Sequence, residues 1–371
     1  GNMLYVDKTK DIYNLLSSGE TYYFLSRPRR FGKSLLISTL EEIFLGNKEL
    51  FKDLYIYEKI EWKKYPIIRI DFTGLVYVEG IEGFKSSLLN ELKNIGLRYK
   101  INLKEDKDYK LAFRELLEEL SKINKVVILI DEYDKPIVEY IDDSEIRDNM
   151  RSIIKDFYIV LKESDKYIQF AFLTGVSKFS KISVFSGLNN LTDLTMDKNY
   201  STMLGYTQDE LEYYFEDRIK LLAEELEISF EEAKQELKKW YNGYSWDGKN
   251  FVYNPFSILN VLKDKMLNNY WFKSGTPTLL IKLIKEKEID IEALENFEAS
   301  DALLDSFEID DIEVESLLFQ TGYLTIKEIK NPKSPYRKYI LNYPNTEVKE
   351  SLLNNILRGI SSSKNNQIVT F

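Results

Sequence analysis

The sequence predicts an α/β protein: a parallel sheet covered by helices, then a helical unit, then a small unit of helix and hairpin. Three observations predict this. Short apolar runs alternate with longer helical patterns across the first half. From Gly205 to about Glu288 the patterns are helical only. Beyond Ile289 a helix precedes two alternating segments joined by a proline-containing connector. The 371 residues suffice for two or three domains. The expected division is 1–204, 205–288 and 289–358, with a polar tail over 359–371.

The expected strands are Tyr22–Ser26, Ile67–Phe72, Val126–Asp131 and Ile168–Leu173, with a fifth near Leu191–Leu194. Leu36, Leu40, Ile43 and Phe44 recur at helical spacing, and Gly46 is placed to end that helix. Asp142 and Glu145 have capping-box spacing at the head of a helix running to about Ser164. Thr207 with Glu210, and Ser229 with Glu232, predict two further capped amphipathic helices. Helical pattern continues through "NPFSILNVL" and "TPTLLIKLI" to about Glu288. In the third unit the helix "DIEVESLLFQT" precedes strands over Tyr323–Ile329 and Arg337–Tyr343, a winged-helix-like order.

Composition restricts the chemistry. The chain has no cysteine and no histidine, which removes disulfides, thiolates, imidazole bases and imidazole metal ligands. Reactions must run on carboxylates, Lys, Arg, hydroxyls, backbone amides and a hard cation such as Mg²⁺. That set suits phosphoryl transfer, where positioning and charge neutralisation dominate. The net charge of −10 disfavours general nucleic-acid binding by bulk electrostatics. No apolar run is long enough to cross a bilayer and no secretion signal opens the chain, so a cytoplasmic location is expected.

The stretch "FLSRPRRFGKSLLISTL", Phe24–Leu40, places Gly32-Lys33-Ser34 between an apolar strand and a helix. A phosphate-binding loop needs a tight turn, a Lys that reaches the phosphates, and a hydroxyl on Mg²⁺ at a helix N-terminus. Glycine normally opens such a loop; here Arg27 stands there, followed by Pro28. Arg27, Arg29 and Arg30 are expected to add cations around a polyanion. A basic turn before an ordinary core helix is the competing reading of these residues.

A second signal supports the first. "KVVILIDEYD" is an apolar strand ending in Asp131 and Glu132. In P-loop ATPases one such carboxylate serves Mg²⁺ and the next polarises water. A strand, Ile67–Phe72, lies between loop and acidic strand, pointing to an additional-strand P-loop NTPase. The strand "IQFAFLTG" ends at Thr174, which either contacts the terminal phosphate or caps a turn. Lys178 and Lys181 are further charge-stabilising candidates. The aromatic stretch "KKWYNGYSWDG" reads more readily as a packing corner than as a base-stacking surface.

"YYFLSRPRRFGKSLLISTL", "VVILIDEYDKPI", "LTGVSKFSKISVFSGLNNLTDLTMD", "WYNGYSW", "VYNPFSILN" and "YILNYPNTEV" together resemble the bacterial predicted AAA-ATPase-like family over nearly the whole chain. The resemblance implies an AAA-like core with a helical lid, and makes Arg27 the family's own variant. It implies ATP and Mg²⁺ as cofactors and a nucleotide as partner. The implied nucleotide-binding residues are Arg29, Arg30, Phe31, Gly32, Lys33, Ser34 and Leu35. Lys33, Glu132 and Thr174 are the expected catalytic residues, and Ser34 and Asp131 the expected metal ligands. Such proteins typically continue into a PD-(D/E)XK nuclease-like domain, implying nucleic-acid processing or defence. That domain is expected to be absent here, since Glu347-Val348-Lys349 lacks a preceding Asp-bearing strand. DNA contact through Lys330, Lys333, Arg337 and Lys338 of the hairpin stays open, although Asp310, Asp311, Glu313 and Glu315 would repel phosphate. The alternatives to hydrolysis are a nucleotide-binding switch and a nucleic-acid-binding module. The sequence specifies no oligomeric state.

Overall fold

The computed structural model describes residues 4–75, 80–104, 108–179, 190–273, 292–305 and 310–355, with isolated positions between 280 and 308. A five-stranded, all-parallel sheet forms the first half: β1 (Tyr22–Ser26), β2 (Ile67–Asp71), β3 (Val126–Asp131), β4 (Ile168–Gly175) and β5 (Leu191–Asp193). Their spatial order is β2-β3-β4-β1-β5. The strand before the basic loop is therefore separated from the acidic strand by β4.

The run Val126–Ile130 is apolar without interruption because this strand is covered on both faces. Val126, Ile128 and Ile130 join one buried cluster; Val127 and Leu129 join another. The first face is packed by α3 (Gly80–Arg98), α4 (Tyr109–Ser121) and α6 (Ser144–Glu163). The second is packed by α1 (Thr9–Ser17) and α2 (Lys33–Phe44) through residues such as Ile12, Leu15, Ile37 and Leu40. Helix α1 had no counterpart in the sequence reading.

Helix ends follow local chemistry. After α2, Gly46 takes φ +76°, its N–H reaches Ile43 O, and Asn47 N–H reaches Glu42 O. This double bond satisfies carbonyls that the helix leaves open. The cap of α6 is Asp143, whose carboxylate accepts the Ile146 N–H, not Asp142 as the spacing suggested. A short helix, α5 (Lys135–Glu139), precedes it.

Both remaining capping boxes form, at Thr207–Glu210 and Ser229–Glu232. They open α7 (Gln208–Glu225) and α8 (Phe230–Tyr241), which pack with α9 (Pro255–Asp264) in a third cluster. Val6, from the chain's beginning, belongs to that cluster too. The region after Gly205 is not purely helical: Tyr206 bridges Tyr253, and Tyr244 bridges Val252, both antiparallel. Helix α10 (Tyr270–Lys273) follows, while most of "TPTLLIKLI" lies outside the described residues.

The C-terminal unit contains α11 (Asp301–Asp305), α12 (Val314–Thr321) and an antiparallel hairpin of β7 (Thr325–Lys330) and β8 (Lys338–Asn342). A short strand, β6 (Phe297–Ala299), extends it to the order β6-β8-β7. Three residues in a glutamate-rich stretch gave no alternation to detect. Residues 346–355 are helical, and the tail over 359–371 lies outside the described residues. Asp310, Asp311 and Glu313 precede α12 rather than lying on it; only Glu315 is in its first turn. The helix is buried along most of its length, from Val314 to Gln320. Among the described residues no helix is long and apolar enough to cross a membrane.

Candidate functional site

Parallel strands present their carboxyl ends at one edge, where open α/β sheets collect ligands. Here that edge brings together the loop after β1, the acids after β3 and the end of β4. Ser34 Oγ donates to Asp131 Oδ2 (2.5 Å), and Thr174 Oγ1 donates to Asp131 Oδ1 (2.6 Å). Lys33 Nζ stands 3.6 Å from Glu132 Oε1. Loop and acidic strand, almost 100 residues apart in sequence, thus face each other across one cleft. Ser34, Leu35 and Arg30 are exposed, while Arg29 and Glu132 are half-buried.

The loop turns through two left-handed residues, Arg30 (φ +66°) and Gly32 (φ +94°). Gly32 N-caps α2, so the amides of Lys33, Ser34 and Leu35 lie in the first turn, where N–H groups have no intrahelical partner. The Lys33 ammonium is buried and donates to the carbonyls of Arg27 and Pro28, both at 3.0 Å. Glu132 has φ +53°, an uncommon conformation for a residue without a short polar side chain. Strain of this kind collects at functional sites.

Arg27 does not contribute a cation to this cleft. Its side chain is 1% exposed and stacks on Trp246, with the guanidinium carbon 3.9 Å from the ring centre. Its Nη1 donates to Ser26 O and Thr195 O, both at 2.9 Å, while Nε has no partner. Burial lowers its pKa to about 9, with Asp193 and Asp247 opposing the shift. The residue at the position usually held by glycine is therefore a structural peg beneath the loop.

Phe31 is likewise buried, edge-on to Tyr244 (4.8 Å) and Trp246 (5.7 Å), so it offers the cleft only its backbone. The aromatic stretch is a packing corner, and what it packs is the underside of the loop. Arg30 lies over the Phe256 ring of α9 at 4.8 Å, and the Trp271 indole N–H of α10 donates to Arg29 O at 3.0 Å. The helical unit thereby touches the loop from above.

Asp134 was not singled out in the sequence, although it follows the two acids by only two places. Its carboxylate accepts the N–H groups of Val176 (3.2 Å) and Ser177 (2.7 Å), fixing the loop after β4. Burial, reinforced by the charge of Glu132, pushes it up to about 6. Gly175 makes this approach possible: a Cβ there would stand 2.6 Å from the Tyr133 ring and 2.7 Å from Asp134 Oδ1. Lys178 is drawn away from the cleft into ion pairs with Asp193 and Asp305. Lys181 lies outside the described residues.

Three of the four hairpin cations lie beside carboxylates. Lys338 pairs with Glu298 (2.8 Å) and Arg337 with Asp301 (2.8 Å); Lys330 stands 3.9 Å from Glu298. A separate surface cleft of about 430 Å³, between α3, α4 and α6, is lined by Lys85, Tyr109, Lys110, Ser152 and Asp156 and contains none of the residues above.

Comparison with known proteins bears on the same residues. A relative from Azotobacter chroococcum mcd 1, described as an uncharacterized protein in the vnfD 5′ region, is 42% identical over 353 residues. The alignment covers 94% of this chain, which spans 65% of the relative's length. The family model for "Predicted AAA-ATPase" matches residues 1–185, the segment that carries the basic loop, the acidic strand and Thr174. Through that segment the chain is similar to the predicted AAA-ATPase family.

Proposed function

We propose that the chain binds and hydrolyses ATP at the cleft between the Arg29–Leu35 loop and β3. The observation that carries this reading is the bonded series Ser34–Asp131–Thr174 beside the Lys33–Glu132 pair. In this reading Lys33 and the backbone amides through Leu35 hold the phosphates, and Arg29 and Arg30 flank them. Glu132 orients or deprotonates the attacking water, and Thr174 fixes Asp131 and faces the terminal phosphate.

The donor set suits Mg²⁺: a hydroxyl and a carboxylate oxygen already in contact are hard oxygen ligands. Ser34 and Asp131 would hold the ion with water and phosphate oxygens completing its shell, and it would neutralise charge on the phosphates. The strand order, with β4 between loop strand and acidic strand, supports assignment to the additional-strand P-loop class. The capped helices α7–α9 would act as the lid, and the α12–hairpin unit is winged-helix-like in element order. Coupling to a nuclease-like domain in a longer protein is part of this proposal.

Single-turnover hydrolysis of ATP with magnesium tests it. Lys33→Ala and Glu132→Gln are each expected to reduce the rate by at least about a hundredfold, with Glu132→Gln retaining binding. Equal rates in all three proteins would remove the assignment.

A second reading, a nucleotide-responsive switch with slow turnover, is favoured by one observation. The Lys33 ammonium is folded back onto its own loop carbonyls and must be released before it can meet a phosphate. Nucleotide-dependent thermal stabilisation without turnover would select it. DNA recognition by α12 is disfavoured by that helix's burial, and by the ion pairs of Arg337 and Lys338.

A further inference from the structure

One turn of the C-terminal unit touches both loops of the cleft. Gln320, the penultimate residue of α12 and 5% exposed, accepts the Lys178 N–H at Oε1 (2.7 Å). Its Nε2 points back to Lys178 O at 3.5 Å. Lys178 lies four residues beyond Thr174, and its ammonium is held by Asp193 on β5 and Asp305 on α11 (2.5 Å). Two residues after Gln320, Gly322 adopts φ +91° against the loop after β1: a Cβ there would stand 2.7 Å from Pro28 Cγ. Tyr323 then packs on Trp271 (5.2 Å between ring centres), whose indole bonds Arg29 O.

We propose that the turn Gln320–Tyr323 is a latch that couples the candidate nucleotide cleft to the C-terminal unit, with Gln320 as a positioning residue for the loop after Thr174. The inference rests on the nucleotide reading above for its ligand, but not for its geometry. A buried amide cannot give up its partner cheaply, so the backbone after Thr174 and the end of α12 move together. Gly322 leaves no space between α12 and Pro28, so a shift in the basic loop meets the same turn. A ligand that rearranges either loop therefore displaces α12 and the hairpin that follows it, and by linkage a partner pulling on the hairpin changes affinity at the cleft.

Amide hydrogen exchange tests this in the full chain, using Gln320→Met, which preserves volume but accepts no bond, and Gln320→Glu, which keeps the acceptor. Without nucleotide, Gln320→Met is expected to speed exchange at residues 176–179 by about fivefold to tenfold, while Gln320→Glu restores most of the protection. Asp305→Asn, at an exposed side chain, should give a smaller rise in the same segment and keeps the test open if Gln320→Met does not fold. With MgATP, wild type should change its exchange in both loops and in β7 and β8, and Gln320→Met should confine the change to the loops. Unaltered exchange at 176–179 in the variants would overturn the latch. So would a hairpin indifferent to nucleotide in wild type that binds it. If wild type binds no nucleotide, the functional reading fails, and the nucleotide-free comparison still decides the latch.

Discussion

Arg27 shows how a residue out of place for one role can be fixed by another. A glycine at this position would supply backbone freedom, but the native guanidinium instead ties Ser26 and Thr195 carbonyls together beneath Trp246. Arg27→Met keeps much of the stacking area but leaves those acceptors open. It is expected to destabilise the fold by about 2–3 kcal/mol, read from chemical denaturation. Arg27→Gly should be worse still, even though it restores the usual loop residue.

Glu347 gives a second prediction at this scale. It is fully buried, accepts Ser257 Oγ (2.7 Å) and Trp271 N–H (3.1 Å), and burial pushes it up to about 7. Between the ordinary carboxylate value and about 7 the folded chain holds a proton that the unfolded chain has released. Stability contributed by this group is therefore present at the acidic end and falls as pH rises through that window. The effect is on the order of 1–3 kcal/mol. Glu347→Gln removes the titration, so its melting temperature relative to wild type should climb steadily from pH 5 to pH 8.

At the level of elements, local chemistry set the boundaries well. Thr207 and Ser229 each exchange bonds with the glutamate three places on, and each helix begins where the pattern put it. Thr207→Ala is expected to cost about 1 kcal/mol, measured as a lower denaturation midpoint with unchanged slope. The cap of α6 shows the limit of such spacing arguments. Adjacent aspartates at 142 and 143 differ only in which one the chain direction aims at the first turn. Strand β6 was invisible because three residues carry no period, and it forms because β8 offers it an edge.

For the molecule as a whole, the units expected from the sequence share buried surface. Leu317, Phe319 and Ile326 of the C-terminal unit share a continuous buried cluster with Phe24, Ile128 and Leu173 of the sheet. Ending the chain at residue 288 would expose the surface that α12 covers. The shortened protein is expected to bind hydrophobic dye and lose cooperative melting, whereas an independent domain would melt as the full chain does. Arg147, which pairs with Asp310 at 2.5 Å, adds a second tie between α6 and this unit. Being exposed at Asp310, that tie should matter by under about 1 kcal/mol and weaken with salt.

The sequence by itself determined the parallel sheet, the helices on both faces and the opposition of a basic loop to an acidic strand. Those features depend on periodicity and on residues adjacent in the chain, such as Gly32-Lys33-Ser34 and Asp131-Glu132. Only the tertiary structure decided that Arg27 points inward, that Lys178 is neutralised by Asp193 and Asp305, and that Gln320 meets the loop beyond Thr174. Each of these depends on partners distant in sequence, and the direction of a long polar side chain is set by which buried acceptors the completed fold brings within reach.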